Sequence, residues 1–461
     1  MSEGANTELK AGSLSVLESI VMGVAGSAPG YTIAVTTAVL LGTAGLLSPG
    51  SLLIFAVPML GIAVAYKALN RREVSAGAAY QWTTQSFGKF WGFFSGWALL
   101  VAAMVFMVSG SLPLATATLD FIDPALATHV VLSAAIASAW FLVIATVLIL
   151  GIEVTSRVQV VMTSIELIIL SAVVIAAFVH ATHVGAVNPF SWHWFSFGYS
   201  ASGFAGTALV VVYFYWGWDV TSNLGEETVN GHETAGNGGF VSIFITIVYY
   251  VAFVCAALVL FSVSTAKSFN ANIIYNIAVS SGLGRAGGLL ASGAMILSSI
   301  ATLETTMLQF SRTLFAMGRD GAMNPAFGIV DPRTKTPVRA MLVLIAVGLL
   351  LLWGSSLMPT VGTIITDSVN AVGVLVAYYY GLAGFVAMWV FRAEWRQSVL
   401  HWIGLAVFPA LSALMLIVLG FYAIATFDKV TDVVAIGGLI AGIVFFRPRR
   451  FIVKPAALPA E

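Results

Sequence analysis

The stretch GVAGSAPGY, residues Gly23 to Tyr31, decides how this chain is read. It sets Gly23, Gly26, Pro29 and Gly30 inside a run that is otherwise apolar enough for one unbroken helix. Glycine loosens a helix, and proline removes an amide donor and clashes with the preceding turn. Backbone groups freed this way are tolerated at membrane depth only where they are buried in protein or line a polar cavity. A second interruption follows about 190 residues on, in VVYFYWGWDVTSN, Val211 to Asn223, where Gly217 sits among aromatic residues just before Asp219. Two interrupted helices at corresponding places in two five-span halves point to an inverted-repeat secondary transporter whose broken ends form the substrate site. Each break could instead be a packing kink with small residues at a helix contact. Their pairing argues against that.

Composition agrees with a membrane setting. The chain has 461 residues, of which 59% are hydrophobic and only 9% charged, with a mean hydropathy of +0.97. A soluble globule needs far more charge. About twelve apolar stretches, centred near residues 28, 57, 103, 140, 168, 214, 250, 298, 347, 377, 412 and 437, each approach the roughly 20 residues that cross hydrocarbon. The first is too long for a removable signal core and lacks a basic start, so it is expected to remain in the mature protein.

Lysine and arginine set the orientation. With twelve spans, Lys267, Arg285 and Lys429 fall outside, and the rest of the 20 basic residues fall on the other side. That asymmetry places both termini in the cytoplasm of a multi-pass cell-membrane protein. The expected layout is a cytoplasmic tail over 1–12, one permease domain over 13–447 and a second tail over 448–461. Within the domain, repeat one covers about 13–182, repeat two about 200–392, and helices 11 and 12 about 399–447. No connection is long enough for a separate domain. The net charge of +0 and the confinement of basic residues to one face give no sign of nucleic acid binding. The single cysteine, Cys255, rules out an intramolecular disulfide.

Four places make the sequence similar to the amino acid-polyamine-organocation (APC) permeases. They are the glycine-broken first span, SAGAAYQWTTQSFGKFWGFFSGW from Ser75, YWGWDVTSNLGEET from Tyr215, and SRTLFAMGRDGAMNP from Ser311 with KTPVRA from Lys335. The resemblance implies an all-α integral membrane protein with five-plus-five inverted repeats of the leucine-transporter type. In that fold helices 1 and 6 are broken and helices 11 and 12 lie outside the repeat. It also implies proton- or sodium-coupled, or exchange-type, movement of an amino acid or amine; separately, the sequence has no nucleophile elbow, metalloprotease helix or P-loop, which argues against an enzyme and against ATP drive. The family's first-span break, which offers amides to a substrate carboxylate, matches Gly26, Ser27, Ala28 and Gly30. Its sixth-span break, which offers carbonyls and an aromatic lid to the substrate amine, matches Tyr213, Phe214, Tyr215, Trp216 and Gly217. Both roles suit the chemistry of half-helix ends and aromatic faces.

The chain also departs from that pattern. Pro29 subtracts one carboxylate donor from the first break. In span 5, where several proton-coupled relatives carry a lysine, Gln159 is followed seven residues later by Glu166. The Asn-Pro-basic sequence usual after span 6 is missing from EETVNGHETAGNGG, residues 226–239. Glu166 lies nine residues past Arg157 and Glu304 eight before Arg312, so both should sit roughly 12–14 Å into the hydrocarbon, with Asp219 near the same level. Ionisable groups at that depth are expensive and usually functional. Three acids without a mid-span lysine or arginine leave room for a proton, a sodium ion or a cationic substrate. The alternative is neutral acids bonded to nearby hydroxyls such as Thr163, Ser298 or Thr305. The expected coupling ion is a proton carried by Glu166, Asp219 or Glu304, and the rival is sodium near Thr305 and Thr306.

Other signals carry little. GLGRAGG, Gly282 to Gly288, matches a dinucleotide fingerprint but follows no strand and opens a membrane span. His129, His180, His183 and His193 fall in predicted outer loops, and no catalytic residue, metal site or cofactor is expected. Glu18 caps or snorkels at the start of span 1. The expected partners are a small-molecule substrate bearing an ammonium group and the lipid bilayer. A receptor or channel using the same cavity is the other functional class, and accumulation in proteoliposomes as opposed to binding without flux separates the two.

Overall fold

A computed structural model describes residues 7–123, 125–198, 201–425, 428–448 and 451. Arg449, Arg450 and Lys454, three of the basic residues assigned to the cytoplasmic side, lie outside the described residues.

Span 1 is two helices, α1 (Val16–Ser27) and α2 (Pro29–Ala44), joined at Ala28. Span 2 is α3 (Ser48–Arg72), and the short α4 (Ala79–Phe87) precedes span 3, α5 (Lys89–Asp120). Spans 4 and 5 are α6 (Val130–Ile149) and α7 (Ile152–Val184). Span 6 is broken between α8 (Ala201–Phe214) and α9 (Val220–Asn223), and α10 (Gly231–Leu260) is span 7. Two short helices, α11 (Val263–Ser268) and α12 (Ile273–Ala278), lead into span 8, α13 (Gly284–Arg319). Spans 9 and 10 are α14 (Val338–Ser355) and α15 (Val361–Val390). Span 11 runs from α16 (Val399–Trp402) through a π turn into α17 (Phe408–Ile424). Span 12 runs likewise from α18 (Lys429–Asp432) into α19 (Gly438–Phe445).

Among the described residues, nine helical stretches are long and apolar enough to cross a membrane, the first of them, Val16–Arg72, holding spans 1 and 2 together. Broken span 6 and the short span 12 complete the twelve that the hydropathy pattern predicts. The two halves repeat one plan: a broken span, a long span, a short connecting helix and a long, steeply buried span. Because each half has five spans, α4 and the α11–α12 pair fall on opposite faces, as an inverted repeat requires.

Two connections are shorter than their polar composition suggests. Helix α10 already begins at Gly231 inside the polar stretch 226–239, and α11 and α12 occupy the segment between Ser262 and Arg285. Glu18 caps α1: Ser15 and Glu18 bond each other's backbone amides at 3.3 and 2.8 Å.

Span 3 is the bundle's centre, buried along almost all of its length and packed against α4, α6, α13, α14, α15 and α19. Spans 11 and 12 lie at the rim. Leu411, Leu414, Val418 and Phe421 line one exposed stripe of α17, the apolar face that lipid covers.

Candidate functional site

The first break is built by one residue. Ala28 adopts the left-handed conformation, φ 46° and ψ 72°, which is costly for a residue with a Cβ and ends α1. Pro29 is therefore the first residue of a new helix, where its missing amide costs no hydrogen bond. The proline does not clash with the preceding turn, as a continuous helix would require, because the chain has already turned at Ala28. The next two amides of α2 are free to donate, and both are taken. Gly30 donates to Glu166 Oε1 at 2.9 Å and Tyr31 donates to Ser298 Oγ at 3.0 Å. A carboxyl group of the protein itself thus sits on the positive end of the half-helix, where anions are favoured.

The carbonyls freed at the end of α1 are satisfied from other spans. Ser27 O accepts from Tyr250 OH at 2.6 Å and Thr32 Oγ1 at 2.9 Å, and Gly26 O accepts from Thr302 Oγ1 at 3.0 Å. The Ser27 hydroxyl turns back to Gly23 O.

The two breaks touch. A Cβ at Gly26 would overlap the carbonyl oxygen of Gly217, and one at Gly217 would overlap that of Gly26. Gly217 also has φ +102°, a conformation that suits glycine. The paired interruptions read from sequence are one backbone-to-backbone crossing. Either glycine changed even to alanine must push the half-spans apart, at a cost of about 1–3 kcal/mol for overpacking. Gly26→Ala and Gly217→Ala are each expected to lower the melting temperature of the purified protein. Wild-type melting of both variants would rule out so close a crossing.

The aromatic run of span 6 divides. The Tyr213 hydroxyl lies 3.0 Å from that of Tyr31, which also donates to Ser109 O of span 3 at 2.9 Å. Trp216 donates to Tyr379 OH at 2.8 Å and packs edge-on to Phe106 with centroids 5.2 Å apart. These rings close the space between the breaks and spans 3 and 10. Phe214 and Tyr215 turn the other way, against Tyr250, and Tyr215 bonds Leu52 O. All are buried. A cavity of about 580 Å³ beside Trp97, Leu314 and Phe445 lies away from the breaks and holds none of the residues just named.

The three acids have different surroundings. Asp219 accepts from Tyr380 OH at 2.8 Å, Gln309 Nε2 at 2.7 Å and Tyr379 OH at 3.1 Å. Its partners come from spans 8 and 10, not from neighbouring serines and threonines. Glu166 holds the Gly30 amide with one oxygen, and its other oxygen has no partner among the described residues. Glu304 faces Gln159 and also has an unpartnered oxygen. A buried polar atom left dry costs about 1–3 kcal/mol. Among the described residues no lysine or arginine pairs with any of the three. Thr305 donates only to carbonyls of its own helix, Ala301 O and Thr302 O.

One cation does lie deep. Arg312, counted from sequence among residues of the basic face, is 1% exposed and forms a fork with Glu227 through Nε and Nη2, both at 2.9 Å. Arg319 makes a second fork with Glu226, at 2.9 and 2.7 Å. The Glu227 carbonyl takes the amides of Ser13 and Leu14. Together these contacts tie the end of span 6 to span 8 and to the segment before α1.

Sequence reasoning missed Tyr31, Phe106, Tyr250, Gln309, Tyr379 and Tyr380. Two signals were available: polar Gln309 within span 8 and the run Tyr378–Tyr380 within span 10.

The family model described as amino acid permease matches residues 14–446. The vacuolar cationic amino acid transporter 4 of Arabidopsis thaliana is 27% identical over 79% of this chain and 63% of its own. The branched-chain amino acid permease BcaP of Bacillus subtilis is 25% identical, over 65% of this chain and 66% of its own. The low-affinity putrescine importer PlaP of Escherichia coli K12 is 25% identical, over 64% of each chain. The chain spans less than two thirds of the length of these curated relatives. The crystal structure of the Eremococcus coleocola manganese transporter superposes with a TM-score of 0.61 over 93% of both chains at 14% identity, a likeness of fold. Two broken spans crossing at Gly26 and Gly217 within an inverted repeat, and a family match over nearly the whole chain, lead to one conclusion: this multi-pass membrane protein belongs to the amino acid permease family of the APC superfamily.

Proposed function

We propose that the chain is a proton-coupled permease for an amino acid, with its basic face in the cytoplasm. The observation that carries this reading is the Gly30 amide bonded to Glu166. A substrate carboxylate and an ionised Glu166 compete for the same half-helix end, since each is an anion seeking the same donor. Protonating Glu166 removes its charge and weakens its hold on Gly30, and the amide becomes available to the substrate. Proton and amino acid then bind cooperatively, and each raises the affinity of the other by the same factor. The substrate ammonium would face the rings of Tyr31, Tyr213 and Trp216, which supply cation–π attraction. Closure of the basic face by Arg312–Glu227 fits a state in which the site does not communicate with the cytoplasm.

Relatives named for cationic amino acids, branched-chain amino acids and putrescine all support a substrate with an ammonium group. The filled carboxylate cradle favours a second reading, an amine without a carboxylate, for which Glu166 need not move. A thermal-shift screen with L-lysine, L-leucine and putrescine separates the two. A ligand at 100 times its dissociation constant stabilises the folded state by about 2.7 kcal/mol. The amino acids are expected to raise the melting temperature, and more at low pH than at high pH. Stabilisation by putrescine alone would move the reading to amine transport, and stabilisation only by dicarboxylates or sugars would overturn both.

A further inference from the structure

Ser156, Gln159, Thr163 and Glu166 follow one another on α7 at intervals of three, four and three residues, which puts them on one face of the helix. All four are buried. The same helix turns Val161, Ile165 and Ile168 outward, so the stripe is a polar edge on a helix otherwise suited to lipid.

The stripe faces α13 and α1. Gln159 donates to Ala301 O at 2.8 Å, Thr302 reaches across to Gly26 O, and Ser298 holds Tyr31. Four atoms along this seam have no hydrogen-bond partner among the described residues: Glu166 Oε2, Thr163 Oγ1, Gln159 Oε1 and Glu304 Oε2. Orphans rarely gather in one place, and where they do water is their usual partner. The lower end of the stripe meets the cytoplasmic face. There Ser156 Oγ donates to Glu18 Oε1 at 2.9 Å, and Glu18 is partly exposed.

We propose that Glu304 is a second proton station, reached from Glu166 by water held along the Thr163–Gln159 edge, and that the seam delivers the proton to the cytoplasm past Ser156 and Glu18. This rests on Glu166 being the coupling carboxylate. The Glu166 carboxyl gives its proton to a seam water and regains its charge and the Gly30 amide. The excess proton of the water reaches the Glu304 carboxylate, forming the acid. Glu304 then returns it to water beside Gln159, and it leaves by the Ser156 end. One proton moves and nothing is consumed.

Few other charges face the route. Tyr250 on α10 lies near Glu166, and Arg157 lies beside Glu18 at the exit. On α13, Arg285 lies near the outer end, Arg312 is paired with Glu227, and Arg319 is paired with Glu226. Asp219, just before α9, is held by its two tyrosines and Gln309. Span 3 has no ionisable side chain between Lys89 and Asp120, α6 has none, and α14 has Arg339 near its start.

The test uses the full chain in proteoliposomes, with radiolabelled L-lysine and L-leucine assayed in parallel. Glu304→Gln is expected to lose at least about tenfold of net uptake driven by a pH gradient, while substrate exchange stays within about twofold. The pH dependence of substrate binding should persist, because Glu166 is intact. Net uptake at the wild-type rate would overturn the relay. Infrared spectra of wild type and Glu304→Gln in H2O and D2O give a readout that needs no substrate. A carboxyl band that is missing in the variant and shifts within seconds of transfer to D2O supports a wet seam. Wild-type coupling with a Glu304 band that does not exchange overturns the relay alone, whereas wild-type uptake that ignores pH removes the coupling reading and the relay with it. Should Glu304→Gln fail to fold, Thr163→Val and Gln159→Leu are expected to slow net uptake and band exchange together. If both stay at wild-type speed, the seam is not the path.

Discussion

Replacing Glu166 with glutamine is expected to abolish the pH sensitivity of substrate affinity, a coupling of about 5- to 150-fold, and with it uptake driven by a pH gradient. Glutamine has nearly the shape of glutamic acid and no charge, so it imitates a carboxyl group that never loses its proton. Glu166 accepts the Gly30 amide at 2.9 Å, and under the proposed coupling it does so most strongly when ionised. Lowering the pH protonates it and frees the amide, so affinity for an amino acid carboxylate should rise as pH falls. In Glu166→Gln the amide is available at every pH, and affinity should be flat and high. The check is thermal shift with L-leucine and L-lysine at pH 5 and pH 8, beside uptake into vesicles under a pH gradient without sodium. A variant that still accumulates substrate in response to pH would show that the proton travels elsewhere, Asp219 being next in line. Dependence of the wild type on sodium, with indifference to pH, would point to a cation site instead.

Replacing Arg312 with alanine is expected to be the most damaging single change for stability. The pair with Glu227 is 1% exposed on both sides, and both fork distances are 2.9 Å. Removing one partner leaves a carboxylate buried without its counter-charge, which costs about 3–5 kcal/mol. Removing both with Arg312→Met and Glu227→Leu avoids the isolated charge and should recover most of that loss. Melting curves of the two variants decide the matter, since equal instability would mean that packing, not charge, holds the seal. The double variant should still differ from wild type in function. With one of the two forks between spans 6 and 8 gone, that side of the bundle should open more readily, and under the proposed transport accumulated substrate should leak back faster.

The number of spans and the two breaks were legible because each is written locally. Hydropathy over about 20 residues marks a span, and glycine and proline mark a break whatever surrounds them. Even so, Pro29 needed the structure for its meaning. Only with Ala28 in the left-handed region does the proline become the start of α2 and leave Gly30 and Tyr31 as the donors. The acids were visible as anomalies within apolar spans, but their partners were hidden. Glu166 meets an amide 136 residues away, and Asp219 is held by hydroxyls 160 and 161 residues away.

The sequence by itself determined a twelve-span all-helical fold with two broken helices and acids buried within apolar spans, since these follow from local hydropathy and backbone chemistry. The tertiary structure decided which side chains meet: that Gly26 lies on Gly217, that Phe214 and Tyr215 turn towards Tyr250 while Tyr213 and Trp216 close the centre, and that Arg312 is sealed against Glu227. The physical reason is rotation. A span that is apolar all round carries almost no amphipathic signal to fix which face turns inward, so the facing of each helix is set by packing against neighbours far away in the chain.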